Sequence, residues 1–427
     1  MPEVINKAGD IIIEDCYLLN FAGKRVDILA LVSEIQIFED IYSPVMSGFI
    51  QVIESSNLVV NLPLIGEEVF GISFHTPTKE KIERKFKVYK IGQRDITGNK
   101  HSYKVYFMSP EGYTDGYMQL AKAYTGQSEQ IVTNILKTDL KSDRAIDVDG
   151  SLTRLKLVAP FWSPFKCINW VASHTLLTDQ AKSADYLFFE TNKKFVFKSL
   201  QTLKSAAVKD NYVYDHSRLP GGLPSGKNLT EKPTVHSLDR DYIRIHDARF
   251  NSMTDQLNRF NHGLYGTQTY VQDILFKTVR MLEYDYYKEF ANQKHMNGFP
   301  QPSKGLHLVQ NMNVTHTYAY PRAHSTVPVD LIGNVANHRI PMLAQAQMIK
   351  IDIDIWGRTD IAVGDTINVD LGKFTSNTAD ANSKNLGDPL YSGKYMIGAI
   401  VHRISMNQHK MTLQLTKDSV ASNYGQT

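Results

Sequence analysis

Between Ile349 and Trp356 apolar and polar side chains alternate without a break: Ile349, Ile351, Ile353 and Ile355 against Lys350, Asp352, Asp354 and Trp356. An extended backbone sends successive side chains to opposite faces, so this run predicts a strand with one buried and one wet side. The same period of two marks the first ~110 residues. Phe70, Ile72 and Phe74 share one face, with Gly71, Ser73 and His75 on the other. Phe86 and Val88 alternate with Lys85 and Lys87, and Tyr103, Val105 and Phe107 alternate with Lys104, Tyr106 and Met108. "DITGNKH" between the last two runs suits a hairpin turn. Several short strands with close turns predict a small barrel or sandwich.

The texture changes near Gly112. Ile131, Val132, Ile135 and Leu136 recur at helical spacing behind Ser128, a candidate N-cap. A second helix starts at Ser163, with Pro164 at the first helical position, where a missing N–H costs nothing. Phe165, Ile168, Ala172 and Leu176 form its stripe. "YLFFETNKKFVFKSL" reads as a hairpin turning at Thr191 and Asn192. Residues 215–240 are rich in Pro, Gly and Ser and read as an exposed linker. "YIRIHDARF" reads as a strand, "TQTYVQDILFKTVRMLEYDYYKEF" fits neither period throughout, and "GNVANHRIPMLAQAQ" predicts a helix interrupted or started at Pro341. The last ~80 residues return to strands. Ile367, Val369 and Leu371 alternate with Asn368 and Asp370, and a final pair of strands turns at Asn407 and Gln408.

The two β-rich regions echo each other. In each, a strand leads to Gly-acid-x-β-branched, Gly66-Glu67-Glu68-Val69 in one and Gly364-Asp365-Thr366-Ile367 in the other. Another strand and a closing hairpin follow. That is a repeat in pattern more than in identity.

Composition bounds the function. The 427 residues suggest roughly two to four domains and ample length for sizeable cores. Lys and Arg number 47 against 44 Asp and Glu, a net charge of +3. Such a balance gives no electrostatic case for coating nucleic acid or a membrane surface. Cys16 and Cys167 cannot build a disulfide framework or a four-cysteine zinc site, and fit a reducing cytosol. The start "MPEVINKAGDIII" does not read as a signal peptide, and no apolar run approaches the ~20 residues that span a bilayer.

Motifs for chemistry are few. Asp352 and Asp354 share a strand face and could chelate a metal together, but no His or Glu in the run adds a third ligand, and the echoing "GFIQVIE" lacks the acids. They are read as the polar side of a strand, with no metal, no cofactor and no catalytic residue assigned. "GGLPSGKN" nearly matches a phosphate-binding loop, but Asn228 replaces the magnesium-holding hydroxyl and no helix follows. The 14 histidines show no tight ligand spacing, and His402 reads as structural. Cys167 sits among Phe165, Ile168 and Trp170 and reads as buried rather than nucleophilic. Glu111, Asp115 and Glu129 offer carboxylates that nothing pairs for acid–base work. The 22 tyrosines suit a ligand groove or broad protein interfaces.

The order of parts resembles the central baseplate hub protein of contractile-tailed bacteriophages. "FEDIYSPVMSGFIQVIESSNLVVNLPLIGEEVFGISF" is similar to the opening strands of the hub's first barrel. "EQIVTNILKTDL", "APFWSPFKCINWVASHTLL" and "ADYLFFETNKKFVFKSLQTL" are similar to its inserted unit, and "MIKIDIDIWGRTDIAVGDTINVDL" with "YSGKYMIGAIVHRI" to its closing barrel. The resemblance implies a mainly β fold with α+β insertions: two similar small tube-like β-barrels carrying mixed α/β units. The expected division is 1–112 first barrel, 113–210 inserted α/β unit and 211–235 linker. Then follow 236–270 strands of the second barrel, 271–335 second insertion, 336–420 rest of that barrel, and 421–427 tail.

The resemblance also implies a structural, non-enzymatic protein. Three copies would form a ring of pseudo-six-fold symmetry, a hub joining a hexameric tail tube above to a trimeric spike below. Such a hub nucleates tube assembly and leaves a lumen through which DNA passes as cargo. Its expected partners are itself, the tail tube protein, the spike protein and other baseplate proteins, with no stable membrane binding. Its expected place is the virion tail baseplate, assembled in host cytoplasm. Two other classes stay open. One is the hub part of a related injection machine, a type VI secretion spike or a bacteriocin; those spikes usually carry a C-terminal needle-like β-domain, which this sequence does not show. The other is a carbohydrate-processing enzyme using Asp352 and Asp354.

Overall fold

The structure, a computed structural model, describes residues 7–55, 64–77, 79–177, 184–214, 241–252, 257, 259, 264–273, 277–300, 313–318, 325–326, 329–371, 388, 390–405 and 407–422. The 215–240 linker, the "GGLPSGKN" stretch and the end of the tail lie outside them.

The alternating runs are strands, and most of them join a single 13-stranded sheet. The N-terminal region supplies β1 (Ile12–Leu19), β2 (Arg25–Asp27), β3 (Val32–Asp40), β4 (Ser47–Glu54), β5 (Val69–His75), β6 (Ile82–Thr97) and β7 (Lys100–Met108). Smaller sheets hold β8 (Ala123–Gln127), β9 (Ala145–Val148), β10 (Arg154–Val158), β11 (Tyr186–Glu190) and β12 (Lys194–Ser199). β13 (Val208–Tyr214) and β14 (Asp247–Ser252) return to the large sheet. β15 (Gly266–Asp273), β16 (Thr278–Asp285) and β17 (Asn313–Tyr318) form another small sheet, and β18 (Ser325–Thr326) edges β10. The C-terminal region adds β19 (Ile349–Trp356), β20 (Thr366–Leu371), β21 (Gly393–Ser405) and β22 (Gln408–Lys417).

The echo in the sequence is a repeat in space. The first half runs β3-β4-β7-β6-β5 and the second β14-β19-β22-β21-β20. Gly66 (φ +94°) and Gly364 (φ +85°) each make a left-handed turn ahead of the matching strand, which glycine adopts without steric cost; by the strand registers Glu68, not the Glu67 of the sequence echo, is the counterpart of Asp365, so the first turn is one residue longer. An acid folds back on each turn: Glu68 accepts from Ile65 N (2.6 Å) and Gly66 N (3.0 Å), and Asp365 from Ala362 N (2.8 Å). The next strand locks on identically, Val88 N donating to Glu68 O and Ile397 N to Asp365 O, both at 2.9 Å. Val88 then faces Phe107, and Ile397 faces Leu415. Directly after each, the register slips, between Val88 and Lys90 and between Ile397 and Ala399. A bulge at the same place in both halves is a built bend.

Each half buries its own core. Ile35, Ile50, Phe70, Phe86, Val105 and Phe107 anchor the first, and Ile351, Ile353, Ile367, Ile397, Leu413 and Leu415 the second. The expected pair of barrels therefore shares one continuous sheet, joined where β21 pairs antiparallel with β3. Each half also lends the other a residue: Ile404 lies in the first core and Ile41 in the second.

Several local expectations shift. The first inserted helix (Ser128–Asn134) is capped by Gln127, not Ser128, in a reciprocal box with Gln130, and runs on as a π-helical turn, Ile135–Asp139. In the second (Pro164–Ala172), Ser163 accepts from Lys166 N at 3.4 Å as expected, but the helix ends before Leu176. The strand expected over "YIRIHDARF" starts only at Asp247. "TQTYVQ…YYKEF" resolves into the β15–β16 hairpin and a short helix, Tyr286–Phe290. The last helix, Val329–Ala346, begins well before Pro341 and runs through it. Proline cannot donate to the carbonyl four residues back; the Thr267 hydroxyl donates to Asn337 O instead, at 3.3 Å.

Candidate functional site

Among the described residues, the two halves of the repeat meet along a seam and present two open faces. The seam between the halves is polar at its centre. His402 on β21 lies against His409 on β22, Nδ1 to Nε2 at 3.1 Å, and its Nε2 faces Glu39 Oε1 on β3 at 3.4 Å. All are at most 3% exposed. Burial, and then the charge of His402, hold the His409 imidazole well below its ordinary range. Its ring meets Phe74 edge-on at 5.7 Å, and the His409 backbone N–H donates to Gly9 O, so first half, second half and N-terminus converge here. Gly357 is required at this junction, because any Cβ would fall 1.9 Å from the His409 ring.

The open faces of the two halves differ in chemistry. On the first, Phe38, Phe49, Tyr106 and Tyr89 form a stripe across β3, β4, β7 and β6, with centroids 6.2, 6.0 and 6.3 Å apart. Lys104 lies 4.6 Å over Phe49 and Lys90 5.3 Å over Tyr106. By the matched registers, Phe49 and Gln51 correspond to Asp352 and Asp354. The acids thus occupy the wet face of β19, while Ile349, Ile351, Ile353 and Ile355 are at most 1% exposed. Asp354 accepts from Arg249 (3.0 and 3.1 Å) and Thr412 (2.6 Å), and Asp352 accepts from Asn251. Protein donors from β14 and β22 hold both carboxylates. Among the described residues no group of three or more His, Cys, Asp or Glu could hold a metal.

The other acids of the sequence reading do structural work. Asp115 receives Phe165 N at 2.6 Å and so caps the 164–172 helix from a distance; burial raises its carboxyl against that bond. Glu111 accepts from Ser142 Oγ at 2.6 Å, and Glu129 from Ser151 Oγ at 2.7 Å. Cys167 is fully buried, and burial pushes its thiol up to about 12. A cavity of about 310 Å³ lies between β12 and the 359–365 segment. Its four lysines are already matched: Lys193 to Glu80, Lys194 and Lys198 to Asp147, and Lys209 to Asp365.

Two clusters invisible to sequence reasoning tie the insertions down. Glu190 receives Arg84 Nη2 and Ser109 Oγ, both at 2.5 Å, and Met46 N at 2.9 Å, docking the inserted unit on the first half. Asp418 receives Lys204 Nζ (2.7 Å) and His295 Nδ1 (2.9 Å) on the second. Their partners are 81 to 214 residues apart where Ser109 meets Glu190 (81) and Lys204 meets Asp418 (418 − 204 = 214), so no local pattern could signal them.

Among the described residues, one stretch of the repeat has no strand on its second edge. Beyond the bulge, from Lys90 to Thr97, β6 pairs only with β7 among the described residues, with a second register shift between Gly92 and Asp95. Its counterpart on β21 is covered on its second edge by β3.

No family model matches the chain. A curated protein of Vibrio phage KVP40, named "Probable baseplate hub protein gp334", is 21% identical over 411 residues, covering 91% of this chain and 90% of that protein. The 43 kDa tail protein of prophage MuSo2 from Shewanella oneidensis shares the fold, with a TM-score of 0.55 at 8% identity over 95% of this chain and 99% of that one. A tail protein from Neisseria meningitidis MC58 does so too, with a TM-score of 0.51 at 10% identity over 95% and 96%.

Proposed function

We infer that this chain is a structural component of a phage tail baseplate, its central hub. The observation that carries the reading is the end-to-end likeness to a phage hub protein, 91% of this chain against 90% of that one. The duplicated half supports the finer part. A chain holding two copies of one sheet unit presents twice as many units as there are chains. Three such chains in a closed ring match a six-fold tube on one face and a three-fold spike on the other, and a cyclic arrangement uses two different surfaces per subunit. The tail tube protein, the spike protein and other baseplate proteins are its partners, and DNA crosses its lumen as cargo. It works in the virion tail baseplate and is assembled in host cytoplasm. It performs no catalysis in this role: the acids at Asp352 and Asp354 serve as strand-face ligands for Arg249, Asn251 and Thr412.

The test is the mass and shape of the purified chain, by light scattering and negative-stain microscopy, with and without the spike protein of the same phage. A three-fold ring with six lobes around a hole is expected. A compact monomer in both conditions overturns the hub reading.

A further inference from the structure

The strand β10, in the middle of the small β18–β10–β8 sheet, has two faces of opposite character. Leu155 and Leu157 are buried in the core of the inserted unit. Along the other face Leu152, Arg154, Lys156 and Val158 are exposed in one row. Opposite them β8 exposes only Ala123, Thr125 and Gln127, and neither strand contains an acid. Among the described residues neither Arg154 nor Lys156 forms an ion pair.

The row ends at a bulge. Val158 faces Ala123 and Trp162 faces Leu120, so residues 159–161 on one side are matched by only 121 and 122 on the other. Ala159 N donates to Lys122 O at 2.9 Å, and Leu120 N to Trp162 O at 2.8 Å, which pins both ends of the bulge. Phe161 takes the left-handed conformation between them, φ +55°. Glycine suits that position in a bulge, because a Cβ there crowds the backbone. Phe161 is also 71% exposed, so in the free chain its ring gains no burial to offset the crowding. Lys166 carries the basic character past the bulge, its ammonium 5.1 Å from the Trp162 ring. A strained backbone that aims an aromatic ring into solvent, at the end of a basic row, has the character of a binding anchor rather than of a core position.

We propose that this face of the inserted unit docks an acidic segment of another protein. Arg154 and Lys156 pair with its carboxylates, the complement that the face itself lacks. Phe161, with Leu152 and Val158 on either side of the cations, takes its apolar side chains. That flanking selects a peptide over a nucleic acid, whose phosphates call for a longer run of cations and leave the aliphatic residues without a partner. The surface belongs to the inserted unit and not to the duplicated sheet that supports the hub reading, so the two are tested apart.

The experiment uses the full-length chain and a short fluorescein-labelled peptide of glutamates with a leucine near each end, read by fluorescence anisotropy. The same peptide with lysines for glutamates, and single-stranded and duplex oligonucleotides, serve as comparisons. The acidic peptide alone should bind, and more weakly as salt rises. Arg154→Glu with Lys156→Glu should weaken it by about tenfold or more. Phe161→Gly separates docking from folding: it should weaken binding by about tenfold while raising the melting temperature, since glycine accepts the positive φ. No binding of the acidic peptide overturns the proposal, and so do oligonucleotides that bind as well as it does. Phe161→Gly that lowers the melting temperature and leaves binding unchanged makes the ring part of the fold and overturns its role as anchor. A compact monomer that binds the peptide keeps this docking face and overturns the hub; a three-fold ring that does not bind it does the reverse.

Discussion

The two halves are built on one plan and differ in what covers them. Both have the left-handed glycine turn, the folded-back acid, the bulge after Val88 or Ile397, and an aliphatic core strand at β4 or β19. The second half is closed: its long strand β21 is flanked by β22 and β3, and its polar centre, His402 with His409 and Glu39, is buried. Among the described residues the first half has no second neighbour along the outer end of β6, and its face carries an aromatic and lysine stripe where the second carries aspartates. Backbone plan is thus retained through core positions and turns. Residue identity differs on the faces and edges.

The largest effects should come from the matched cores. Ile50 and Ile353 are both fully buried at equivalent ladder positions, so Ile50→Ala and Ile353→Ala should each cost about 2–5 kcal/mol in chemical denaturation. The exchange of Ile404 and Ile41 across the seam predicts that both variants unfold in one shared transition. Two separable transitions would make the halves independent.

The seam should respond to acid. His409 is neutral in the folded chain, its affinity for a proton lowered by burial and by His402. The unfolded chain takes up that proton near pH 6.5, so stability falls as pH drops below 6.5, by about 1.4 kcal/mol per pH unit, until the folded imidazole also titrates. His409→Gln should flatten this slope between pH 6.5 and 5, measured by thermal melting. Equal slopes in the parent and His409→Gln would remove the seam as the source.

Smaller effects distinguish the two turns. Gly66→Ala and Gly364→Ala both place a side chain at positive φ, costing about 1 kcal/mol. Gly364→Ala should cost more, because its Cβ would come 3.0 Å from Phe189, against 3.6 Å to Tyr89 O at Gly66. The inserted unit presses on the second turn only. Smallest is Asp354→Asn: its pair with Arg249 is half-exposed, so stability should change by less than about 1 kcal/mol.

Much of this was legible in the chain. Period-two runs give β5, β6, β7 and β19 and the faces they bury, because in a strand the side-chain direction is set by sequence position alone. The paired Gly-acid turns give the repeat, because a left-handed turn needs glycine. Helix boundaries were less legible. The length of the 329–346 helix depends on Thr267 serving the carbonyl that Pro341 leaves, a contact between residues 70 positions from Asn337. The role of Asp352 and Asp354 was half legible: the strand follows from the alternation, but Arg249 and Asn251, their partners, come from another strand.

By itself the sequence determined the strands, the buried faces, the two glycine turns and the fact of duplication, all set by local sterics and by which side chains leave water. Only the tertiary structure decided that the halves share one sheet, that His402 meets Glu39 across 363 residues, and that Ile404 lies in the core of the other half. Edge pairing carries no side-chain code of its own. A strand's backbone offers the same donors and acceptors to any neighbour, so which edge is filled depends on what the rest of the chain brings beside it.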